Sequence, residues 1–181
     1  DLLRRWAEPQ RHYHRTTHLV EIFWALEELE DVEEIDSRTA LLGRLGGWFH
    51  DAVYHPLAVA GANEGDSALL AVRVLTDLGA DAADVAAVER VVRLSATHSG
   101  DSLTSLDRAF LDADLWILSS DPDRFDAYCE QVRQEYAAVP DTALAPPDLG
   151  GPAASPDVGA VVVHAAMALA AAAATAALIR R

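Results

Sequence analysis

The sequence predicts an all-α fold, and three observations carry that expectation. Apolar residues recur three and four apart through most of residues 1–139, the periodicity of helices with one buried face. Residues that start and stop helices fall at the ends of those runs. No run alternates apolar and polar residues with the period of two that a half-buried strand shows.

The elements follow in order. Leu19, Ile22, Phe23, Leu26 and Leu29 predict a first helix over about residues 17–30. A second begins with Asp36 or Ser37 as N-cap and carries Leu41, Leu42, Leu45, Trp48 and Phe49. Asn63 is the expected N-cap of a third, which stops at Gly79 as its C′ residue and buries Leu70, Leu75, Val74 and Leu78. Asp81 caps a fourth that turns Val85, Val88, Val91 and Val92 inward and ends near Thr97 and His98. Ser105 caps a fifth bearing Phe110, Leu111, Leu115 and Leu118. Asp121 followed by Pro122 reads as N-cap and first residue of a sixth that runs to about Val139. About six core helices thus fill a domain over residues 1–139.

Beyond it the composition changes. Residues 140–157, rich in Pro, Gly, Ala and Ser, predict a linker, and residues 158–181 an Ala-rich C-terminal helix. The run at 158–179 is long enough to raise the question of a membrane span, but Ala is too weakly apolar to drive insertion and His164 interrupts it. A helix packing on the domain is the expectation, with no membrane partner.

The chain's 181 residues are enough for one sizeable core, and 51% hydrophobic against 24% charged residues is a globular composition. With 14 basic and 29 acidic residues the net charge is −15, which excludes nucleic-acid binding through a broad basic surface. A small anionic substrate requires a local reversal of that field, such as a divalent cation. The single Cys129 excludes an internal disulfide and a Cys-rich zinc module, so a reducing cytoplasm is the expected setting. No charged n-region followed by an apolar h-region opens the sequence, and no signal peptide is expected.

Histidines and acids cluster in four places. "RHYHRTTH" holds His12, His14 and His18; "HDAVYH" holds His50, Asp51 and His55; "SATHSGDS" holds His98 and Asp101; "FLDADLWIL" holds Asp112 and Asp114. Imidazole nitrogen with carboxylate oxygen and no thiolate suits Mn, Fe, Co, Ni, Zn or Mg rather than a structural zinc. His18 precedes Ile22 and Leu26 by near-turns and opens the apolar stripe of its helix; His14 lies a turn earlier and His12 falls outside. Asp114 follows Leu111 and Phe110 by three and four residues, on the apolar face, where an unpaired charge costs several kcal/mol or is neutralised. Asp112 points about 160° away, at roughly 100° per residue, towards solvent or a second shell. His50 and Asp51 end an apolar helix together, an arrangement that needs partners or a metal. Taken singly, each of these is more often a satisfied core or surface residue; together with the adjacent His-Asp pair they point to one interior metal site.

The order His, His-Asp, Asp across successive helices resembles the HD-domain superfamily of metal-dependent phosphohydrolases. "RHYHRTTHL", "WFHDAVY", "NEGDSA", "ATH", "FLDADLWIL" and "VRQEYAAV" look like a bacterial family of predicted HD-type phosphohydrolases of unassigned substrate, matching from about Arg11 to Val139. The resemblance implies an HD-domain helical bundle and metal ligands at His18, His50, Asp51 and Asp114. It implies one or two divalent ions, with Asp51 bridging two, and a phosphate ester of a nucleotide or other small metabolite cleaved by metal-activated water. Asp51, Glu64 and His98 are the implied catalytic residues, Glu64 orienting or deprotonating the water and His98 serving the leaving group, the phosphate or a further ion. His14 and His55, with His98 and Asp112, are additional ligand or second-shell candidates, and Arg133 and Glu135 match an R-x-E-Y pattern of substrate or structural role. The sequence departs from the family at His55, where an acid is expected, and after Pro140, where a Gly-Arg and further helices are expected. Three rival readings stand: a regulatory module that binds metal or nucleotide without turnover, a di-iron HD-type oxygenase, and a structural helical domain whose histidines are core residues.

Overall fold

A computed structural model describes residues 1–140 of the chain. Among the described residues the fold is all-helical: α1 (Leu2–Arg5), α2 (Thr16–Asp31), α3 (Ser37–His50), α4 (Ala62–Asp77), α5 (Ala82–Leu94), α6 (Ser105–Asp114), a 3-10 helix (Trp116–Ser119) and α7 (Pro122–Glu135). Helices α2 to α7 answer the six that the periodicity predicts; α1, a single short turn, is additional. The expected linker beyond residue 140 and the expected helix at 158–181 lie outside the described residues. None of the described helices is long and apolar enough to cross a membrane.

Capping explains where the helices start, and two starts differ from expectation. Asp36 and Asp121 cap α3 and α7 as expected, each accepting from the backbone N–H three residues on, at 2.7 and 3.0 Å. Helix α4 starts two residues early, its N-cap being Gly61 at φ +73° rather than Asn63. Asn63 instead reaches back across the preceding loop, accepting from the His55 N–H at 3.0 Å and donating to its carbonyl at 3.1 Å. Helix α6 is capped by Thr104 rather than Ser105. Its hydroxyl accepts from the Asp107 N–H at 3.1 Å while Asp107 accepts from the Thr104 N–H at 2.7 Å, satisfying two end donors at once.

Three ends also differ. Helix α5 stops at Leu94, leaving His98 on a turn at φ +49°. Helix α6 stops at Asp114 and tightens into the 3-10 turn, so Asp114 is a helix end and not a mid-helix residue. Helix α7 stops at Glu135 rather than near Val139.

The bundle is organised around α3, which packs on α2, α4, α5 and α6. Its small residues allow this. A Cβ on Gly46 would lie 2.7 Å from Val91 Cγ2 and 3.2 Å from the Phe110 ring, so α5 and α6 approach α3 as closely as only glycine permits. One side of α3 forms a core with α4 and α5 around Phe49, Leu75, Val88 and Val92. The other forms a core with α2 and α6 around Ile22, Leu26, Ala109 and Ala113. The Arg90 Nε donates to both carboxylate oxygens of buried Asp107 at 3.0 and 2.9 Å, tying α5 to α6. Tyr13, Ile117 and Tyr128 make a third cluster that seats α7 beside the 3-10 turn and the segment before α2. The C-terminal end of α3, the start of α2 and the end of α6 thereby meet at one place.

Candidate metal centre

His18, in the first turn of α2, and His50, the last residue of α3, face each other with their Nε2 atoms 3.3 Å apart. Asp51, the next residue, brings Oδ2 to 3.0 Å from the His50 Nε2. Asp114 brings Oδ1 to 3.1 Å from the His18 Nε2 and 3.4 Å from the His50 Nε2. His18, His50 and Asp51 are buried, and one donor atom of each lies within 4.8 Å of the others, close enough to hold a metal ion. Two atoms bound about 2.1 Å from one ion at tetrahedral or octahedral angles stand roughly 3.0–3.4 Å apart, the separation seen here.

The outer hydrogen bonds orient these rings. His50 Nδ1 donates to the Gly47 carbonyl at 2.9 Å, a helix-end acceptor without an intrahelical partner. Its Nε2 then presents a lone pair to two carboxylates and a second imidazole, an arrangement that is repulsive until a cation, proton or metal, sits among them. His18 Nδ1 pairs with the Tyr13 hydroxyl at 3.0 Å. Asp114 Oδ2 accepts from His98 Nε2 at 2.9 Å.

The electrostatics fit the same picture. Burial opposes the charged form of His50, yet the Asp51 and Asp114 carboxylates hold its pKa well above the ordinary imidazole range. Burial lowers the His18 pKa. Burial also opposes ionisation of Asp51 and Asp114, but the facing imidazoles, His50 first, depress both below the usual carboxylate range. Two ionised carboxylates and at least one neutral imidazole are a donor set for a hard or borderline divalent ion.

A second layer holds the segment before α2 against the site. Glu135 Oε1 accepts from the backbone N–H groups of His12, Tyr13 and His14 at 2.6, 2.8 and 2.9 Å. Its Oε2 pairs with His14 Nδ1 at 2.6 Å and accepts from the Tyr54 hydroxyl at 2.9 Å. Burial opposes its charge, but His14 and the bonded amides bring its pKa down to about 2. The His14 Nε2 is thereby directed inward, 4.0 Å from Asp51 Oδ2. Buried Arg11 donates to the carbonyls of Asp51 and His14 at 2.8 and 3.1 Å, clamping the two segments together.

Above the cluster opens a cavity of about 610 Å³, within the size range of small-molecule sites. His14, His18, His50, Asp51, His98 and Asp114 line its floor. The sequence-predicted residues therefore divide clearly. His18, His50, Asp51 and Asp114 come together, with His98 on Asp114 and His14 beside Asp51. Glu64 and His55 line the same cavity further out, on α4 and the loop before it. Asp112 is exposed on the opposite face of α6 and does not line the cavity. Arg133 is also exposed; its Nη1 donates to the Tyr136 carbonyl at 2.8 Å and it too does not line the cavity. Tyr13, Tyr54 and Arg11 are the residues that sequence reasoning missed. Each sits inside or beside a quoted His motif, but only the fold shows which ring or carbonyl it serves. Comparison with protein-family models, curated proteins and solved structures finds no significant match in any of the three.

Proposed function

We propose that this chain is an HD-type metal-dependent phosphohydrolase, cleaving a phosphate ester of a small metabolite, in a bundle of that superfamily's kind. The observation that carries the reading is the convergence of His18, His50, Asp51 and Asp114, from the start of α2 and the ends of α3 and α6, on the floor of one cavity. The order of these residues along the chain is the order the family resemblance implies. A divalent cation, when bound, supplies Lewis acidity: it acidifies water and draws charge from phosphoryl oxygens.

The protein's own groups supply the rest. His18, His50, Asp51 and Asp114 hold the ion, with His50 and His18 fixed by the Gly47 carbonyl and the Tyr13 hydroxyl. His14, held by Glu135 with its Nε2 4.0 Å from Asp51 Oδ2, is the imidazole available to a phosphoryl oxygen bound beside Asp51. His98 gives its Nε2–H to Asp114, so a role towards the phosphate or the leaving oxygen falls to its Nδ1. Glu64, on the first turn of α4, is the carboxylate available to orient or deprotonate the attacking water.

Elemental analysis of protein purified without chelator, followed by assay against a panel of phosphate esters, tests the reading and gives the stoichiometry, one ion or two. Bound Mn, Fe, Co, Ni, Zn or Mg with turnover is the expected result. Metal without turnover of any ester supports the regulatory module, and an iron absorption band the oxygenase. Failure to take up metal leaves a helical domain with buried histidines.

A further inference from the structure

The cavity above the metal-ligating cluster has a composition that discriminates among phosphate esters. Among the described residues no arginine lines it, and the chain contains no lysine at all. Arg11, buried behind the site, is committed to the Glu8 carboxylate and to the carbonyls of Asp51 and His14. Arg124, over the Tyr13 ring, pairs with the Glu21 carboxylate, and exposed Arg133 donates to the Tyr136 carbonyl. Away from the metal-ligating cluster its lining is mainly apolar and aromatic, with Val59, Leu115, Ile117, Leu118, Val132 and four tyrosines, and a few neutral polar side chains such as Thr97. Helix α4 turns its N-terminus to the cavity, a place where a phosphate is often held, but Glu64 in the first turn puts a carboxylate there, and the Asn63 amide is committed to the His55 backbone.

Tight recognition of a di- or triphosphate commonly adds Arg or Lys donors, or free backbone N–H groups, for the phosphates beyond the one at the metal. Among the described residues, those extra phosphates would meet apolar and aromatic side chains, a few neutral polar groups such as Asn63 and Thr97, and the Glu64 carboxylate, with no cationic fork, in a molecule already at −15. A single phosphate is different, because the ion and the histidines on the floor match it. The remainder of the substrate then lies against aliphatic and aromatic surface, where an alkyl or aryl group gains by leaving water and a polyol loses its hydrogen bonds.

We infer that the substrate is the monophosphate ester of an apolar or aromatic alcohol, and that nucleoside di- and triphosphates are excluded. This rests on the phosphohydrolase reading above and narrows it. The test compares kcat/KM of the manganese-loaded protein for benzyl phosphate, n-hexyl phosphate, glycerol 3-phosphate, ADP and ATP. The first three have alkoxide leaving groups of similar basicity, so differences among them report binding of the organic group rather than intrinsic lability. The expected result is a preference for benzyl or hexyl phosphate of at least about tenfold over glycerol 3-phosphate. ADP and ATP are phosphoanhydrides, intrinsically more labile than alkyl esters, so for them the comparison is of KM, which should be higher by on the order of 10–100-fold, as for charge-assisted hydrogen bonds left unmade. Hydrolysis of glycerol 3-phosphate as fast as the apolar esters, or a KM for ADP or ATP as low as theirs, overturns the inference and leaves the phosphohydrolase reading standing. No hydrolysis of any of the five, by protein shown to contain metal, removes that reading and the inference with it.

Discussion

The His50 Nδ1 lies 2.9 Å from the Gly47 carbonyl oxygen, and that bond decides the chemistry of the ring's other nitrogen. A carbonyl only accepts, so Nδ1 carries the proton and Nε2 is left to bind a second proton or a metal. Because Gly47 is one helical turn before the end of α3, its carbonyl is free to act this way. The helix end therefore supplies the ligand, its orientation and, through Asp51, the adjacent carboxylate.

Replacing either member of that pair should cost the metal. His50→Ala and Asp51→Ala each remove one donor from a set of four, and each should lower metal affinity by more than the roughly 10–100-fold typical of losing an outer-layer partner. Elemental analysis and metal titration read the change, with circular dichroism to confirm that the variants remain helical. Either variant retaining full metal content would exclude the assignment.

Tyr13 offers a gentler test of the same centre. Tyr13→Phe keeps the ring that packs on Tyr128 at 4.5 Å between centroids and removes only the hydroxyl on His18 Nδ1. Metal affinity should fall by about 10–100-fold while the helical content stays unchanged. An unaltered affinity would mean that His18 is not a ligand or that its orientation is set elsewhere.

The metal should also stabilise the fold, because it binds a site that exists only when α2, α3 and α6 are assembled. At a free concentration 100 times Kd the gain is about 2.7 kcal/mol. The melting temperature should rise by several degrees on adding the ion and fall back with a chelator, as differential scanning calorimetry would show. A melting temperature indifferent to metal and chelator would contradict a site built from these three elements.

Much of this was legible in the sequence because helices and metal donors are both local patterns. The stripes of α2 to α7 and the caps Asp36 and Asp121 are written in residues close to one another. The clustering of His18, His50, Asp51 and Asp114 could be anticipated because each stands on, or ends, an apolar face. What was not legible depends on contacts far apart in the chain. Glu135 is more than a hundred residues from the backbone amides it binds, and nothing in its local sequence names them. Asn63 was expected to cap α4, but the His55 backbone competes for the same amide and wins. Asp114 was expected within a helix; the apolar period continues through Leu118, but a 3-10 turn carries it, and periodicity alone does not separate the two.

Gly46 tests the packing that brings the ligands together. In Gly46→Ala the new methyl would lie 2.7 Å from Val91 Cγ2 and 3.2 Å from the Phe110 ring, both on buried, well-packed side chains. Such overpacking costs about 1–3 kcal/mol, which outweighs the better helix propensity of alanine. Urea denaturation should show a lower midpoint with an unchanged slope. A more stable variant would mean that α5 and α6 can withdraw from α3 without penalty.

Asp107 gives a pH signature independent of the metal. Burial opposes its charge, but the Arg90 guanidinium and the Thr104 amide hold its pKa below the ordinary aspartate value. A depressed folded pKa means that the unfolded chain binds more protons in acid, so stability falls as pH falls. The contribution of Asp107 is fully present above an unfolded pKa of about 3.9, and it is lost as pH drops through the lower folded value. Asp107→Asn removes the charge and weakens the reciprocal cap of α6. The expected cost at pH 7 is about 1 kcal/mol, the scale of a lost capping interaction. The difference between the two proteins should shrink below pH 4, because the wild-type carboxyl takes up a proton in the unfolded chain first and so favours unfolding. Urea denaturation of both at pH 7 and pH 3 measures this directly. A gap that stays constant or widens in acid would show that the carboxylate charge is not what ties α5 to α6.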